Sequence, residues 1–239
     1  MSPLPLREEL RGLEPYGAPQ LDVPVRLNVN ENPYPPSTAV VADIERAVAE
    51  AARDLNRYPD REFSALREAL AAYLGHGVGT AQVWAANGSN EVMLHLLQAF
   101  GGPGRTALSF APTYSMYPEY ARDTHTGWEV GHREDDFTPD PDRAVALVRA
   151  RRPHVVLLPS PNNPTGTSLP HQVIGALCHA LDRGVLVVDE AYAEFRRAGT
   201  PSALELLPEH ENLVVTRTMS KAFALAGARV GYLAASIEV

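Results

Sequence analysis

Short apolar runs alternate with amphipathic stretches along most of the chain. The runs at 82–86, 106–110, 128–132, 155–159, 185–189, 212–216 and 229–234 have the length and β-branched content of buried strands. Apolar residues at helical spacing predict helices over 92–100, 117–122, 141–151 and 170–181. Two further helices, one opening at Ser37 and one over 63–74, precede the first strand and are separated by a loop at 55–60. Strands alternating with helices predict an α/β fold, a mostly parallel sheet with helices on both faces. Residues 1–36 are rich in proline and asparagine and are expected to form an irregular arm packed on the rest, with 37–239 as one large domain.

Composition leaves this picture standing and removes several functions. Hydrophobic content of 45% and charged content of 21% are those of a globular protein. A net charge of −8, with no run of Lys or Arg, argues against nucleic acid. No apolar run approaches a membrane span, and the first ten residues lack a signal peptide's basic and hydrophobic regions, so the expected location is cytoplasmic. The single cysteine, Cys178, falls in a predicted helix without a CxxC partner and is expected to be a buried structural thiol. Gly75 to Thr80 alternates glycines but follows a helix rather than a strand, so it reads as a helix stop and not as a dinucleotide fingerprint.

The candidate chemistry centres on 216–229, T-R-T-M-S-K-A-F-A-L-A-G-A-R, a loop between two predicted strands. It sets Lys221 among Thr218, Ser220 and Arg229. A desolvated lysine can form a Schiff base with a carbonyl, while hydroxyls and an arginine suit a phosphate monoester. That pairing describes pyridoxal 5′-phosphate (PLP); a solvated surface lysine is the plain alternative. Asn87 to Glu91 (N-G-S-N-E) joins a strand to a helix, offering either an anion site at a helix N-terminus or an ordinary cap by Ser89 or Asn90. Three more segments follow strand ends, where open α/β sheets bind ligands. These are 112–114 with Tyr114, 160–166 with Asn163, and 189–192 with Asp189 and Tyr192. Each also reads plainly, as a packed tyrosine, a proline-rich turn and a carboxylate at a strand end. Asp189 closes a buried strand and needs a partner, which a protonated pyridine nitrogen would supply. Asp189 and Glu190 lack the cluster a metal site needs.

In this order the segments L-N-V-N-E-N-P-Y-P-P-S, R-Y-P-D, N-G-S-N-E, P-T-Y-S-M-Y, P-N-N-P-T-G, V-V-D-E-A-Y and T-M-S-K-A-F-A-L-A-G-A-R-V-G-Y resemble fold-type I PLP enzymes of the class I/II aminotransferase superfamily, and within it the histidinol-phosphate aminotransferases. The resemblance runs from about residue 16 to 232. It implies Lys221 as the lysine bonded to the cofactor and the later proton shuttle, and Asp189 at the pyridine nitrogen. It further implies Asn163 and Tyr192 at the phenolic oxygen, Tyr114 stacked on the ring, and Ser89, Asn90, Thr218, Ser220 and Arg229 at the phosphate. Tyr58 would reach the phosphate in a neighbouring subunit of a homodimer, and Tyr16, Asn30 and Glu31 would lie near the substrate.

The implied reaction exchanges an amino group between L-histidinol phosphate and 2-oxoglutarate, giving imidazole-acetol phosphate and glutamate in histidine biosynthesis. Family members continue past the point where these 239 residues stop, into a small C-terminal domain with a substrate-clamping arginine. The chain is therefore expected to be the large domain without that part and to turn over poorly. Alternatives are another class I/II aminotransferase acting on aromatic or other amino acids, a threonine-phosphate decarboxylase-like enzyme, or a non-catalytic remnant that binds cofactor.

Overall fold

The computed structural model describes residues 4–14, 17 and 19–239. Two helices lead in, α1 (Thr38–Ala51) and α2 (Ser64–Leu74). Ser37 caps α1, its hydroxyl accepting from the Val40 N–H at 3.3 Å, as its place before the apolar pattern predicts. Then come β1 (Val83–Asn87), α3 (Ser89–Phe100), β2 (Thr106–Ala111), α4 (Tyr117–Asp123), β3 (Gly127–His132) and α5 (Pro141–Arg151). The chain closes through β4 (Val155–Pro159), α6 (His171–Ala180), β5 (Val185–Asp189), β6 (Leu213–Thr218) and β7 (Val230–Ala235).

The seven strands form one sheet in the order β1-β7-β6-β5-β4-β2-β3. The pairings β2–β3, β2–β4, β4–β5 and β5–β6 are parallel, while β7 runs antiparallel to both β1 and β6. Side chains alternate across the pleat, so each strand feeds two cores. Val156 and Leu158 pack towards α2, α5 and α6, whereas Val155 and Leu157 pack towards α3 and α4. Burying each such aliphatic side chain contributes roughly 1.5–3 kcal/mol, which explains why the central strands read as unbroken apolar runs. Register then sets the site: Pro159 pairs with Asp189, Asp189 with Thr216, and Thr218 with Gly231. The carboxyl ends of β4, β5 and β6 therefore open at one edge beside the β1–α3 turn.

Cys178 is buried in α6, and burial pushes its thiol up to about 12, the behaviour of a structural cysteine. Helix α1 buries none of its residues, and Val40, Val41, Ile44 and Val48 form an exposed apolar stripe along it.

Candidate active site

Beyond those strand ends lies a cavity of about 680 Å³. Lys221, the only lysine in the chain, projects into it from the loop after β6. Its Nζ donates to the carbonyls of Val29 (3.3 Å) and Asn30 (3.2 Å), so the N-terminal arm crosses over the amine. The arm is tied down nearby, where Asn30 Nδ2 donates to the Tyr192 hydroxyl at 2.9 Å and Asn32 Nδ2 to the Ala222 carbonyl at 3.2 Å. Desolvation lowers the lysine's pKa from the ordinary 10.5. Glu31 opposes that shift, and Arg229 adds to it.

Asp189 sits at the end of β5, buried and also lining the cavity. One carboxylate oxygen, Oδ2, accepts from the Tyr117 hydroxyl at 3.0 Å. The other, Oδ1, accepts from the Ala191 N–H (3.1 Å) and the Thr216 hydroxyl (3.3 Å). Among the described residues no cation forms an ion pair with it. Burial raises its pKa despite the three donors. Its neighbour Glu190 points elsewhere and is fully satisfied, paired with Arg217 Nη2 at 2.6 Å and holding Ser202 and the Ala203 N–H. The sheet thus separates a structural carboxylate in an ion pair from one that faces a cavity with no ion pair among the described residues.

A third cluster sits where β6, β7 and α3 meet. The Thr218 hydroxyl donates to Ser220 Oγ at 3.0 Å, and Arg229 Nη1 donates to the same oxygen at 3.3 Å. Helix α3 starts at Ser89 with Gly88 at its N-cap, φ +88°, and no side chain caps it. The sequence placed that start at 92 and offered Ser89 or Asn90 as the cap; both lie inside the first turn instead, where backbone N–H groups lack intrahelical partners. Glycine suits this position because L side chains rarely adopt its φ, and a methyl there would also displace Arg229 Nη2, 2.3 Å away. Two hydroxyls, a guanidinium and a helix N-terminus converge on the cavity wall, the donor set a phosphate monoester takes.

The loops carrying Tyr114 and Asn163 complete the wall. A buried arginine braces them. Arg133 donates to the Phe110 carbonyl (2.9 Å), the Phe137 carbonyl (3.0 Å) and Asn162 Oδ1 (3.2 Å), and Asn162 Nδ2 donates to the Pro112 carbonyl at 3.1 Å. Desolvation lowers the Arg133 pKa to about 10.

The Aminotransferase class I and II family model matches residues 23–239. The chain belongs to the class I and II aminotransferases. Among relatives of this aminotransferase chain, the histidinol-phosphate aminotransferase of Frankia casuarinae is 63% identical over 97% of the chain and 60% of its own length. That of Thermobifida fusca is 64% identical over 97% and 63%. The chain thus spans about three fifths of the length of the curated relatives it matches. In solved structures, the histidinol-phosphate aminotransferase of Sinorhizobium meliloti, in complex with pyridoxal-5′-phosphate, superposes with a TM-score of 0.77 at 27% identity, covering 88% of this chain and 55% of that one. Aspartate aminotransferase from Thermus thermophilus with maleate gives 0.78 at 28% identity, covering 89% and 56%.

Most residues singled out from the sequence come together in the aminotransferase cavity. Lys221, Ser89, Asn90, Tyr114, Asn163, Asp189, Tyr192, Thr218, Ser220 and Arg229 line it, with Asn30 and Glu31 from the arm. Tyr58 does not: it is fully exposed on the loop before α2. Tyr16 lies outside the described residues. Tyr117, Thr216, Arg133 and Asn162 were not singled out as site residues. Tyr117 and Thr216 looked like positions within apolar elements, and only the strand register and the α4 packing turn their hydroxyls onto Asp189.

Proposed function

We propose that this chain is the PLP-binding part of a cytoplasmic histidinol-phosphate aminotransferase, exchanging an amino group between L-histidinol phosphate and 2-oxoglutarate. The observation that carries it is the pairing, across one cavity, of the chain's only lysine with a buried, cation-free carboxylate. PLP would fit this lining: its pyridinium would meet the Asp189 carboxylate, its phosphate the Ser89, Asn90, Thr218, Ser220 and Arg229 donors, and its ring face Tyr114. Asn163 and Tyr192, which line the same cavity, would hydrogen-bond its phenolic oxygen. Bound there, PLP supplies an electrophilic aldehyde for amines and an electron sink for the carbon that loses its proton.

The chain's own groups supply the rest. Burial biases Lys221 towards the neutral amine, the form able to attack a carbonyl or accept a proton. The carbonyls of Val29 and Asn30 hold that amine in place. Asp189 would pair with the ring nitrogen and favour its protonated form. The arm, with Asn30 and Glu31 on the cavity wall, would contact the substrate, a role the family resemblance also gives to Tyr16.

We infer further that the working unit is a homodimer. The apolar stripe on α1 stays exposed among the described residues, and Tyr58 is fully exposed beyond it, where it could reach a second copy's phosphate. The experiment loads the chain with PLP, adds L-histidinol phosphate or L-phenylalanine, and quantifies pyridoxamine 5′-phosphate by chromatography. Faster formation with histidinol phosphate supports the assignment. Preference for phenylalanine moves it to an aromatic aminotransferase, and no conversion with either amine over repeated loadings contradicts amino transfer by this chain.

A further inference from the structure

The carboxylate at the heart of the cavity is held by a residue outside it. Tyr117, the first residue of α4, is wholly buried, and its hydroxyl reaches Asp189 Oδ2 at 3.0 Å. Its ring is fixed by the core around it and by the edge-to-face contact with Tyr114, centroids 5.5 Å apart at 90°. We propose that Tyr117 is a positioning residue which, by donating to Oδ2, keeps Asp189 ionised and aimed at the cavity. The proposal rests on the PLP reading for its purpose, though not for its geometry.

An ionised carboxylate accepts hydrogen bonds only, so the direction of this one is fixed: the phenol donates. Because both groups are buried, the bond acts in a low dielectric, and leaving Oδ2 without its donor exposes a charge to desolvation. The other groups around Asp189 cannot substitute for it. Thr216 and the Ala191 N–H serve Oδ1. Glu190, the next residue after the strand, disfavours a second negative charge. Tyr192 lies across the cavity with its hydroxyl receiving Asn30, Lys221 is held by the arm's carbonyls, and Tyr114 and Tyr120 lie nearer Tyr117 itself. A neutral Asp189 cannot balance a pyridinium, so losing the phenol converts a charge-assisted contact with the cofactor into a weaker neutral one.

The experiment follows Asp189 directly. The cofactor-free chain is labelled with ¹³C at aspartate carboxyls, the Asp189 signal is identified by its loss in Asp189→Asn, and its titration is compared between wild type and Tyr117→Phe. PLP dissociation constants are measured alongside by equilibrium dialysis between pH 6 and pH 8. The phenylalanine chain is expected to titrate Asp189 at higher pH and to bind PLP about tenfold or more weakly, the deficit widening as pH falls. A melting temperature that changes while the Asp189 titration stays put assigns Tyr117 a packing role and overturns the proposal. A wild-type chain that does not retain PLP overturns the cofactor reading instead, and the titration still decides the Tyr117–Asp189 coupling. Should the phenylalanine chain misfold, 3-fluorotyrosine at residue 117, a stronger donor in the same shape, is expected to move the titration downward; an unmoved signal overturns the proposal.

Discussion

Asp189 shows most plainly how function sets itself against stability at a single residue. Its carboxylate is buried with hydrogen-bond donors and no ion pair among the described residues, and its folded pKa is raised above the ordinary 3.8 by desolvation. For such a group the contribution to stability is complete below 3.8 and is lost as pH rises towards and through the folded value, so this side chain works increasingly against the fold as pH rises across that window. Asp189→Asn is therefore expected to raise the melting temperature of the cofactor-free chain at pH 7, by an amount that shrinks towards acid, while weakening PLP retention. Thermal melts and dialysis at pH 4 and pH 7 check both. Lys221 carries the opposite shift, downward from 10.5. Attachment of PLP to the chain should accordingly rise with pH through a midpoint below 10.5, measured by stopped-flow absorbance. Both residues were legible in the sequence because their chemistry stands out against their neighbours, a lysine between hydroxyls and an acid ending an apolar strand. Tyr117, Thr216 and Arg133 were not, since what makes them matter is which group they touch across the sheet.

At the scale of elements, the site depends on how closely β7 approaches the first turn of α3. A methyl at Gly231 would lie 2.0 Å from the Ser89 nitrogen and 2.2 Å from the Gly88 carbonyl carbon, both of them backbone and unable to swing away. Gly231→Ala is thus expected to cost about 1–3 kcal/mol of stability through overpacking and to weaken binding of PLP by displacing the Ser89 and Asn90 N–H groups. Chemical denaturation and dialysis measure the two effects. Strands and helices were readable to within a few residues because two-sided burial forces continuous apolar runs. The start of α3 was misjudged for a local reason: S-N-E looks like a cap, yet Gly88, at φ +88°, takes the N-cap position and admits the arginine.

Over the whole molecule, the order of strands could not be read from hydrophobic pattern, because an apolar run carries no direction. The antiparallel placement of β7 between β1 and β6 is the case in point, and it is what brings Arg229 to Gly88. The exposed stripe on α1 is a feature of the same scale. A charge at its centre, Ile44→Asp, is expected to leave the fold intact, since α1 buries none of its residues, and to convert a dimer to monomers in light scattering. A monomeric wild type contradicts that assignment. The central claim, that the cavity takes PLP on its one lysine, is met most directly by borohydride reduction of the PLP-treated chain followed by peptide mass mapping. The account predicts one phosphopyridoxyl group, on the peptide containing Lys221 and absent from Lys221→Ala; modification confined to the N-terminal amine, or none, would contradict it.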